Sequence, residues 1–280
     1  MTITYWIFAV IIFLSIGSFL NVVIYRYPKI LLKQWREEAE DFLCEDSYQQ
    51  QEQAGSSFNL AFPNSHCTHC QHELSWWHNI PLLSYLFLAG HCYFCKKNIS
   101  WQYPFIECLT ALLASAILYR FGFSYAAIIP ILATFLLITM SAIDFKTQLL
   151  PDNLTYIFLW LGLLQNTIFH IIPLSSAIYG AIFGYAVLWI IGTGYRLIRK
   201  QDGMGYGDYK LLAAIGAWFG PYLVIITLLI ASVASLIISV TLLATNKIDS
   251  KRPLAFGPYL AIAAYLILWI GPVNLMGLIF

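Results

Sequence analysis

The chain alternates long apolar segments with short polar ones, and most of the apolar segments are long enough to cross a lipid bilayer. They cover approximately residues 3–24, 104–121, 125–143, 154–172, 177–197, 209–244 and 254–279. A transmembrane helix needs about 20 mainly apolar residues. The segment 209–244 is too long for one span, and Gly220-Pro221 near its middle predicts a break into two short helices. The pattern therefore predicts an all-α polytopic membrane protein with about eight transmembrane helices.

The polar positions divide the chain into three predicted regions. Residues 1–25 form a first transmembrane helix, residues 26–103 a polar segment, and residues 104–280 a membrane domain of about seven helices. No small-residue cleavage site follows the first span, so we expect it to be retained. The polar segment begins with a predicted amphipathic helix, KILLKQWREEAEDFL, and continues through a Gln/Ser-rich linker, QQQEQAGSS, to a compact Cys/His module.

Composition and charge agree with this class and add an orientation. The chain is 60% hydrophobic and 10% charged, whereas a soluble domain carries about a quarter charged residues. Basic residues favour the cytoplasmic side of a membrane. Eight spans with both termini outside put every basic cluster inside, so we expect the polar segment to be cytoplasmic. The net charge of +1 gives no indication of a nucleic-acid partner, and we expect none.

Two acids at the ends of spans are the strongest candidates for chemistry. Asp144 ends the third span and Asp208 opens the sixth, and the orientation places both at the cytoplasmic edge. Ionisable groups at such places usually face a cavity or a partner. Two neighbouring carboxylates that share one proton can hydrolyse an amide, as aspartyl proteases do. Alternatively, Asp144 pairs with a cation, for which Lys146 is the near candidate, and Asp208 caps a helix that starts at Tyr209.

The stretch GMGYGDYK, residues 203–210, places flexible backbone beside Asp208. Glycines permit positive φ and close backbone approach. We therefore expect Gly205 and Gly207 to form a catalytic loop against which an extended substrate docks. Because the C-terminal end of a helix disfavours negative charge, Asp144 is expected to hold the shared proton and Asp208 to be ionised.

The remaining acids and two glycine patterns have predicted roles in helix capping or helix packing, except Glu107, whose role is open. Asp152 or Asn153 is expected to cap the fourth span. Glu107, just inside the second span, is open between a helix contact, a substrate contact and part of a second site. Helix packing is the predicted role of two groups of residues, Gly180 with Gly184 and Gly17 with Ser18 and Asn21.

Four cysteines predict a metal site in the polar segment. Cys67, Cys70, Cys92 and Cys95 form two C-x-x-C pairs, the pattern of a four-thiolate zinc site. Such a filled tetrahedron makes the metal structural. The alternatives are disulfides, which a reducing cytoplasm disfavours, and unligated thiols. The neighbouring histidines are alternative ligands or surface groups, and Cys44 and Cys108 are ordinary residues.

Together these residues resemble the type IV prepilin peptidases, the bifunctional leader peptidase/N-methyltransferases of bacterial pilus and type II secretion systems. The resemblance covers almost the whole chain. The matching segments are GSFLNVVIYR (17–26), the two C-x-x-C pairs, NIPLLSYL (79–86), ISWQYPFIE (99–107), IDFKTQLLPDNLT (143–155), GMGYGDYKLLAAIGAW (203–218) and FGPYLA (256–261). Small departures are Asp202, where the family often has Glu, and Thr68, where Pro is common.

The resemblance implies a specific activity. The family cleaves the short basic leader of prepilins and pseudopilins after a glycine, at the cytoplasmic face of the bacterial inner membrane. It then methylates the new N-terminal amine with S-adenosylmethionine. The family's catalytic aspartates fall on Asp144 and Asp208, and its GxGD element on residues 205–208. Methyl-donor residues cannot be assigned from the motifs, and Glu107 is a candidate.

This resemblance makes prepilins, pseudopilins and membrane lipid the expected partners, with both termini periplasmic. Two other functions are compatible with parts of the pattern. A proton-coupled transporter would explain acids in the membrane, but neither the glycine-rich loop nor the cysteine module. A non-catalytic membrane scaffold of a secretion system would need neither carboxylate.

Overall fold

The computed structural model of the chain describes residues 3–43, 59–67, 69–201, 203–245 and 254–271. Across these ranges the chain is helical, and its only strand-like features are two isolated β-bridges. The α-helices are α1 (Ile3–Leu43), α2 (Leu83–Phe87), α3 (Gln102–Phe121), α4 (Ile128–Thr147), α5 (Asp152–Phe169), α6 (Leu174–Arg199), α7 (Tyr206–Ala244) and α8 (Gly257–Ile270). Short 3₁₀ turns cover Trp76–Asn79 and Tyr125–Ala127. Several sequence-predicted features lie outside the described residues: the Gln/Ser-rich linker, Cys44, Thr68, Asp202 and a basic cluster at 247–252.

The helices confirm the predicted all-α membrane class. In the described part of the chain, five helices are long and apolar enough to cross a membrane, namely α1, α3, α4 with its preceding turn, α6 and α7. The apolar helix α8 is shorter, with 14 residues. Each predicted span corresponds to a helix, and the long segment 209–244 corresponds to α7. Its helical geometry is interrupted at Gly220 (φ 78°, ψ 174°), directly before Pro221, which confirms the predicted break.

The first helix is longer than the sequence pattern suggests. Two helices were expected on either side of YRYPK, but α1 runs without interruption from Ile3 to Leu43 and contains Pro28. A proline removes one backbone hydrogen bond and bends a helix without necessarily ending it. The apolar and the amphipathic segments are therefore parts of one helix.

The chain folds as two compact units, residues Met1–Ser115 and Ala116–Phe280. In the first unit, α1 packs closely on α3. A Cβ at Gly17 would lie only 2.8 Å from Cα of Glu107, and Nδ2 of Asn21 donates a hydrogen bond of 3.1 Å to the carbonyl oxygen of Tyr103. These contacts confirm the predicted packing role of Gly17 and Asn21.

In the second unit, α7 supplies much of the buried core. Leu211, Leu212 and Ile215 are completely buried. The backbones of α6 and α7 approach so closely that a Cβ at Gly180 would clash with the carbonyl oxygen of Gly216. Gly184 faces the carbonyl of Leu212 in the same way. The predicted packing role of the Gly180/Gly184 pair is therefore confirmed, and the contact fixes α7 relative to α6.

Candidate active site and metal centre

Asp144 lies in the last turn of α4, and its side chain is buried. Its Oδ2 accepts a hydrogen bond of 3.0 Å from the backbone N–H of Gly257, the first residue of α8. The N–H groups at the start of a helix have no partner within that helix, and they favour negative charge nearby. The basis for expecting Asp144 to be the protonated acid therefore disappears, because the start of α8 offsets the unfavourable end of α4.

Asp208 lies inside the first turn of α7 rather than at its cap. The prediction that this helix starts at Tyr209 is wrong, because α7 begins at Tyr206 with Gly205 as the N-cap residue. The N–H of Asp208 donates to the carbonyl oxygen of Gly205 at 3.2 Å. The Asp208 side chain is only 8% exposed within the protein, so it is aimed into the unit and is not a solvated cap.

The glycines before Asp208 permit close packing and do not adopt positive φ. Gly205 has φ −72°, and Gly207 lies within the first helical turn. A Cβ at Gly207 would come within 2.7 Å of Cβ of Leu150, whereas a Cβ at Gly205 would meet only Oδ2 of Asp208, at 3.9 Å. Of the two properties that glycine offers, close approach is therefore the one used at Gly207, where Leu150 packs against the backbone. At Gly205 the absence of a side chain leaves open space beside the carboxylate of Asp208.

Leu150, in the connection between α4 and α5, links the surroundings of the two acids. Besides contacting Gly207, it lies 3.1 Å from the position that a Cβ would take on Gly257, the hydrogen-bond donor to Asp144. Leu150 therefore contacts the residue before Asp208 and also lies beside the residue that donates to Asp144. The structure thus brings together the end of α4, the start of α7 and the start of α8 around two buried carboxylates. Such a pair can share a proton.

Asp152 does not cap α5 as expected. It is the first helical residue, after the N-cap Pro151, and no side-chain cap hydrogen bond forms. Instead its Oδ2 accepts from Nζ of Lys210 at 2.6 Å. The carboxylate of Asp152 therefore binds the ammonium group of Lys210 instead of the N–H groups at the start of α5. This ion pair joins the starts of α5 and α7.

Glu107 lies in the first unit, apart from the two aspartates in sequence. It is buried on α3, and its Oε2 accepts a hydrogen bond of 2.8 Å from the N–H of Leu82. The side chain of Ser18 on α1 is a second hydrogen-bond partner. Leu82 has φ 58° and ψ −46°, a conformation that L-residues rarely adopt. Glu107 therefore fixes an irregular backbone segment to the contact between α1 and α3.

The four predicted metal ligands converge. Single ligand atoms of Cys67, Cys70, Cys92 and Cys95 all lie within 4.8 Å of one another. The Sγ atoms of Cys67 and Cys95 are 3.9 Å apart. Four thiolates around zinc, each about 2.3 Å from the metal, place their sulfurs about 3.8 Å apart. The cysteines are not paired as disulfides, so this cluster has the donor set and spacing of a tetrahedral site.

Two copies of one turn, 25 residues apart, hold these cysteines. Each C-x-x-C pair is followed by a residue with positive φ, Gln71 in the first turn and Lys96 in the second. Equivalent backbone hydrogen bonds recur, Cys67 N to His72 O and Cys92 N to Lys97 O, and Gln71 N to Cys67 O and Lys96 N to Cys92 O. The bridges His66–Glu73 and His91–Asn98 are likewise equivalent.

The histidines and thiols of the module have distinct roles. His66 and His91 use Nδ1 to bond the carbonyl oxygens of Asn64 and Ala89, so they support the turns and do not belong to the ligand cluster. Burial raises the pKa of the Cys67 thiol, but hydrogen bonds from nearby N–H groups and thiols outweigh this, and the pKa falls to about 7. A thiol that ionises near neutral pH is a better metal ligand.

Sequence reasoning missed three residues that the structure places in these sites. Gly257 and Leu150 carry no chemical signal because one acts through its backbone and the other through its shape. Arg26 has the sequence context of an exposed basic residue at the end of the first span, but it is buried. Its guanidinium donates to the carbonyl oxygens of Asn59, Leu60, Pro63 and Asn64. It therefore fixes the segment leading into the first cysteine turn to α1.

Comparison with known proteins relates the whole chain to one group of enzymes. Residues 11–121 match the family described as bacterial peptidase A24 N-terminal domain, and residues 131–240 match the type IV leader peptidase family. Proteins named prepilin leader peptidase/N-methyltransferase are similar over most of their length. The protein from Stutzerimonas stutzeri is 42% identical over 93% of this chain and 89% of its own. Those from Pseudomonas aeruginosa and Neisseria gonorrhoeae are 42% and 38% identical, over 91% and 92% of this chain and 87% and 88% of their own. No solved structure matches the chain.

Proposed function

Because this chain belongs to the type IV leader peptidase family, we propose that it is a membrane-embedded aspartic endopeptidase and N-methyltransferase that acts on prepilins. The observation that carries the proposal is the pair of buried carboxylates, Asp144 at the end of α4 and Asp208 at the start of α7, with Leu150 packed against the residues beside both. Relatives that match most of this chain carry both activities in their names.

The proposed peptidase step uses the two carboxylates as one unit. One proton is shared between Asp144 and Asp208, because two adjacent carboxylates cannot both ionise cheaply. The ionised carboxylate takes a proton from a water molecule while the oxygen of that water attacks the carbon of the peptide carbonyl. The protonated one donates to the leaving nitrogen as the carbon–nitrogen bond breaks. The extended peptide would dock against the backbone of the loop that carries Gly205 and Gly207.

The substrate and the orientation follow from the family and the charge pattern. Cleavage would occur after a glycine in the basic leader of prepilins and pseudopilins, for pilus biogenesis or type II secretion. The proposed location is the bacterial inner membrane, with the cysteine module in the cytoplasm and both termini periplasmic. The basic residues beside the spans support this orientation.

The second proposed reaction methylates the amine that cleavage exposes. S-adenosylmethionine, when bound, supplies the methyl group. The metal proposed for the four cysteines is zinc, held by Cys67, Cys70, Cys92 and Cys95 in a structural role. With four thiolate ligands a zinc ion has no open position for substrate, so it would stabilise the module and take no part in either reaction.

Matched aspartate variants test the peptidase. Purified full-length protein is incubated with a prepilin peptide, with and without S-adenosylmethionine, and the products are identified by mass spectrometry. Wild type should release the leader and, with the methyl donor, add one methyl group. Asp144→Asn and Asp208→Asn should each lose cleavage by a factor of about 10³ or more while keeping the wild-type melting temperature. Asp152→Asn is the control.

The same assay separates the competing functions. A non-catalytic scaffold would release no leader even as wild type. A transporter would depend on the aspartates for proton flux in liposomes without forming any proteolytic product. Either result would overturn the proposed function.

A further inference from the structure

A polar pair in the first unit takes no part in the peptidase step proposed above, and it suits the methylation that the proposed function includes. The inference rests on that function. Glu107 on α3 and Asn21 on α1 are 7% and 2% exposed. Burial of such groups is costly unless they are satisfied. Both carry acceptor oxygens that the contacts within this unit do not fully use.

Glu107 is a buried carboxylate held by neutral donors. Its partners are the N–H of Leu82 and the side chain of Ser18. Among the residues that the structure describes, no lysine or arginine forms an ion pair with it. A carboxylate offers about four lone-pair sites, so these two donors leave both capacity and negative charge for a cationic ligand.

Asn21 presents a second acceptor at the same helix contact. Its Nδ2 donates to the carbonyl oxygens of Gly17 and Tyr103, at 3.4 Å and 3.1 Å. These two acceptors fix which end of the amide is the donor. Its Oδ1 is buried and has no partner within the described part of the chain. Tyr103 precedes Glu107 by one helical turn, so Asn21 contacts the turn of α3 directly before Glu107.

We propose that Glu107 and Oδ1 of Asn21 bind the N-terminal ammonium group of the cleaved chain and that Glu107 removes its proton for methylation. An ammonium group offers N–H donors to both oxygens and a positive charge to the carboxylate. After the proton moves to Glu107, the nitrogen lone pair attacks the methyl carbon of the sulfonium donor. The carbon–sulfur bond breaks, its electron pair returns to sulfur, and a neutral thioether leaves.

The backbone around Leu82 supports this arrangement. Its unusual φ of 58° directs its N–H to Glu107. Strained residues of this kind persist where the surrounding structure holds them, often at functional sites. Helix α2 follows Leu82 immediately, and the second cysteine turn comes soon after it. A hydrogen bond of 2.9 Å from the N–H of Gly90 to the carbonyl oxygen of Tyr85 fixes the end of α2 next to this turn. The segment that carries the donor to Glu107 is therefore continuous with the second cysteine turn through α2.

Glu107→Gln tests the proposal, because it keeps an acceptor for Leu82 and removes the charge and the basicity. Full-length protein is given a precleaved peptide with a free N-terminus and S-adenosylmethionine, and leader cleavage is measured in the same preparation. We expect the ratio of methylation to cleavage to fall by about 10²–10⁴-fold. Glu38→Gln, which changes an exposed carboxylate on α1 in the same unit, should leave this ratio unchanged.

Two further readouts separate a base from a structural residue. A peptide amine has a pKa of about 8, so raising the pH should recover part of the methylation rate of Glu107→Gln as the free amine accumulates. Binding of S-adenosylmethionine, measured by equilibrium dialysis, should match wild type. Loss of donor binding, an unchanged methylation ratio or no recovery at high pH would each overturn the proposal.

Asn21→Ser provides an independent variant if Glu107→Gln does not fold. It removes Oδ1 together with the Nδ2 hydrogen bonds to Gly17 and Tyr103 but keeps the base. If its Tm shows that the unit stays folded, KM for the free-amine peptide should rise about tenfold and kcat should change much less; an unchanged KM would overturn the proposal. Failure of the inference is distinguishable from failure of the proposed function, since in the second case wild type itself neither cleaves nor methylates.

Discussion

The backbone N–H of Gly257 donates a hydrogen bond of 3.0 Å to Oδ2 of Asp144, across 113 residues of sequence. The bond joins the first residue of α8 to the last turn of α4. Since the start of a helix carries a partial positive charge, this contact stabilises a negative charge on the carboxylate. The start of α8 is therefore part of the candidate active site, although it contributes no reactive side chain.

Gly257→Ala should reduce leader cleavage. A Cβ there would lie 2.6 Å from Oδ2 of Asp144 and 3.1 Å from Cδ1 of Leu150, so the carboxylate has to move. Small displacements of catalytic groups cost about 10²-fold in rate, and we expect kcat/KM to fall by roughly that factor. Ile262→Ala, at an exposed position of α8, is the control. Wild-type kcat/KM in Gly257→Ala would contradict the assigned role of this contact.

The two glycines before Asp208 should respond differently to alanine. Gly207→Ala forces the new Cβ within 2.7 Å of Leu150, whereas at Gly205 the nearest atom is 3.9 Å away. We therefore expect cleavage by Gly207→Ala to fall at least about tenfold and cleavage by Gly205→Ala to change less. Equal kcat/KM losses in the two variants would mean that steric contact with Leu150 is not the reason for Gly207.

The contact between α6 and α7 should depend on Gly180. Gly180→Ala introduces a clash with the backbone of Gly216, but Gly194, on the same helix, has no atom near the position of a Cβ. Overpacking of this kind costs about 1–3 kcal/mol, while alanine at an open helical position gains up to about 1 kcal/mol. Thermal unfolding in detergent should thus show a lower Tm for Gly180→Ala and an equal or higher Tm for Gly194→Ala. The reverse order would contradict this packing.

Removal of one metal ligand should release the metal and loosen the module. Cys92 is buried among the four sulfurs, so Cys92→Ser is expected to lower the zinc content measured by mass spectrometry from about one ion per chain to near zero. Limited proteolysis should then cut within residues 59–99. Cys108→Ser changes an exposed thiol on α3 and should keep the zinc. Full zinc content in Cys92→Ser would exclude the four-thiolate site.

Asp152→Asn should have a small effect. The Asp152–Lys210 ion pair is partly exposed, and such pairs contribute about 0–1 kcal/mol. We expect a Tm close to wild type, and leader cleavage within about fivefold, because 1 kcal/mol corresponds to about a fivefold change in rate. A loss of cleavage comparable with that of Asp208→Asn would instead place Asp152 in the catalytic machinery.

The residues predicted correctly from sequence are those whose pattern is local. The break at Gly220-Pro221 and the packing glycines Gly180 and Gly184 follow from backbone chemistry within a few positions. Asp152 was misassigned for the opposite reason. Its local context favours a helix cap, but the competing partner Lys210 lies 58 positions away in sequence.

The membrane class follows from the order of amino acids, because long runs of apolar side chains are stable in a lipid bilayer and not in water. The set of cysteine ligands follows in the same way, because each C-x-x-C turn brings its two thiols together locally. Only the folded chain shows which backbone amide faces Asp144, why Gly207 lacks a side chain, and which oxygens lie unused between α1 and α3. These features arise where helices distant in sequence approach within a few ångströms. At that range, the role of a residue depends on the shape and polarity of the neighbour that packs against it, and this neighbour is not visible in the local sequence.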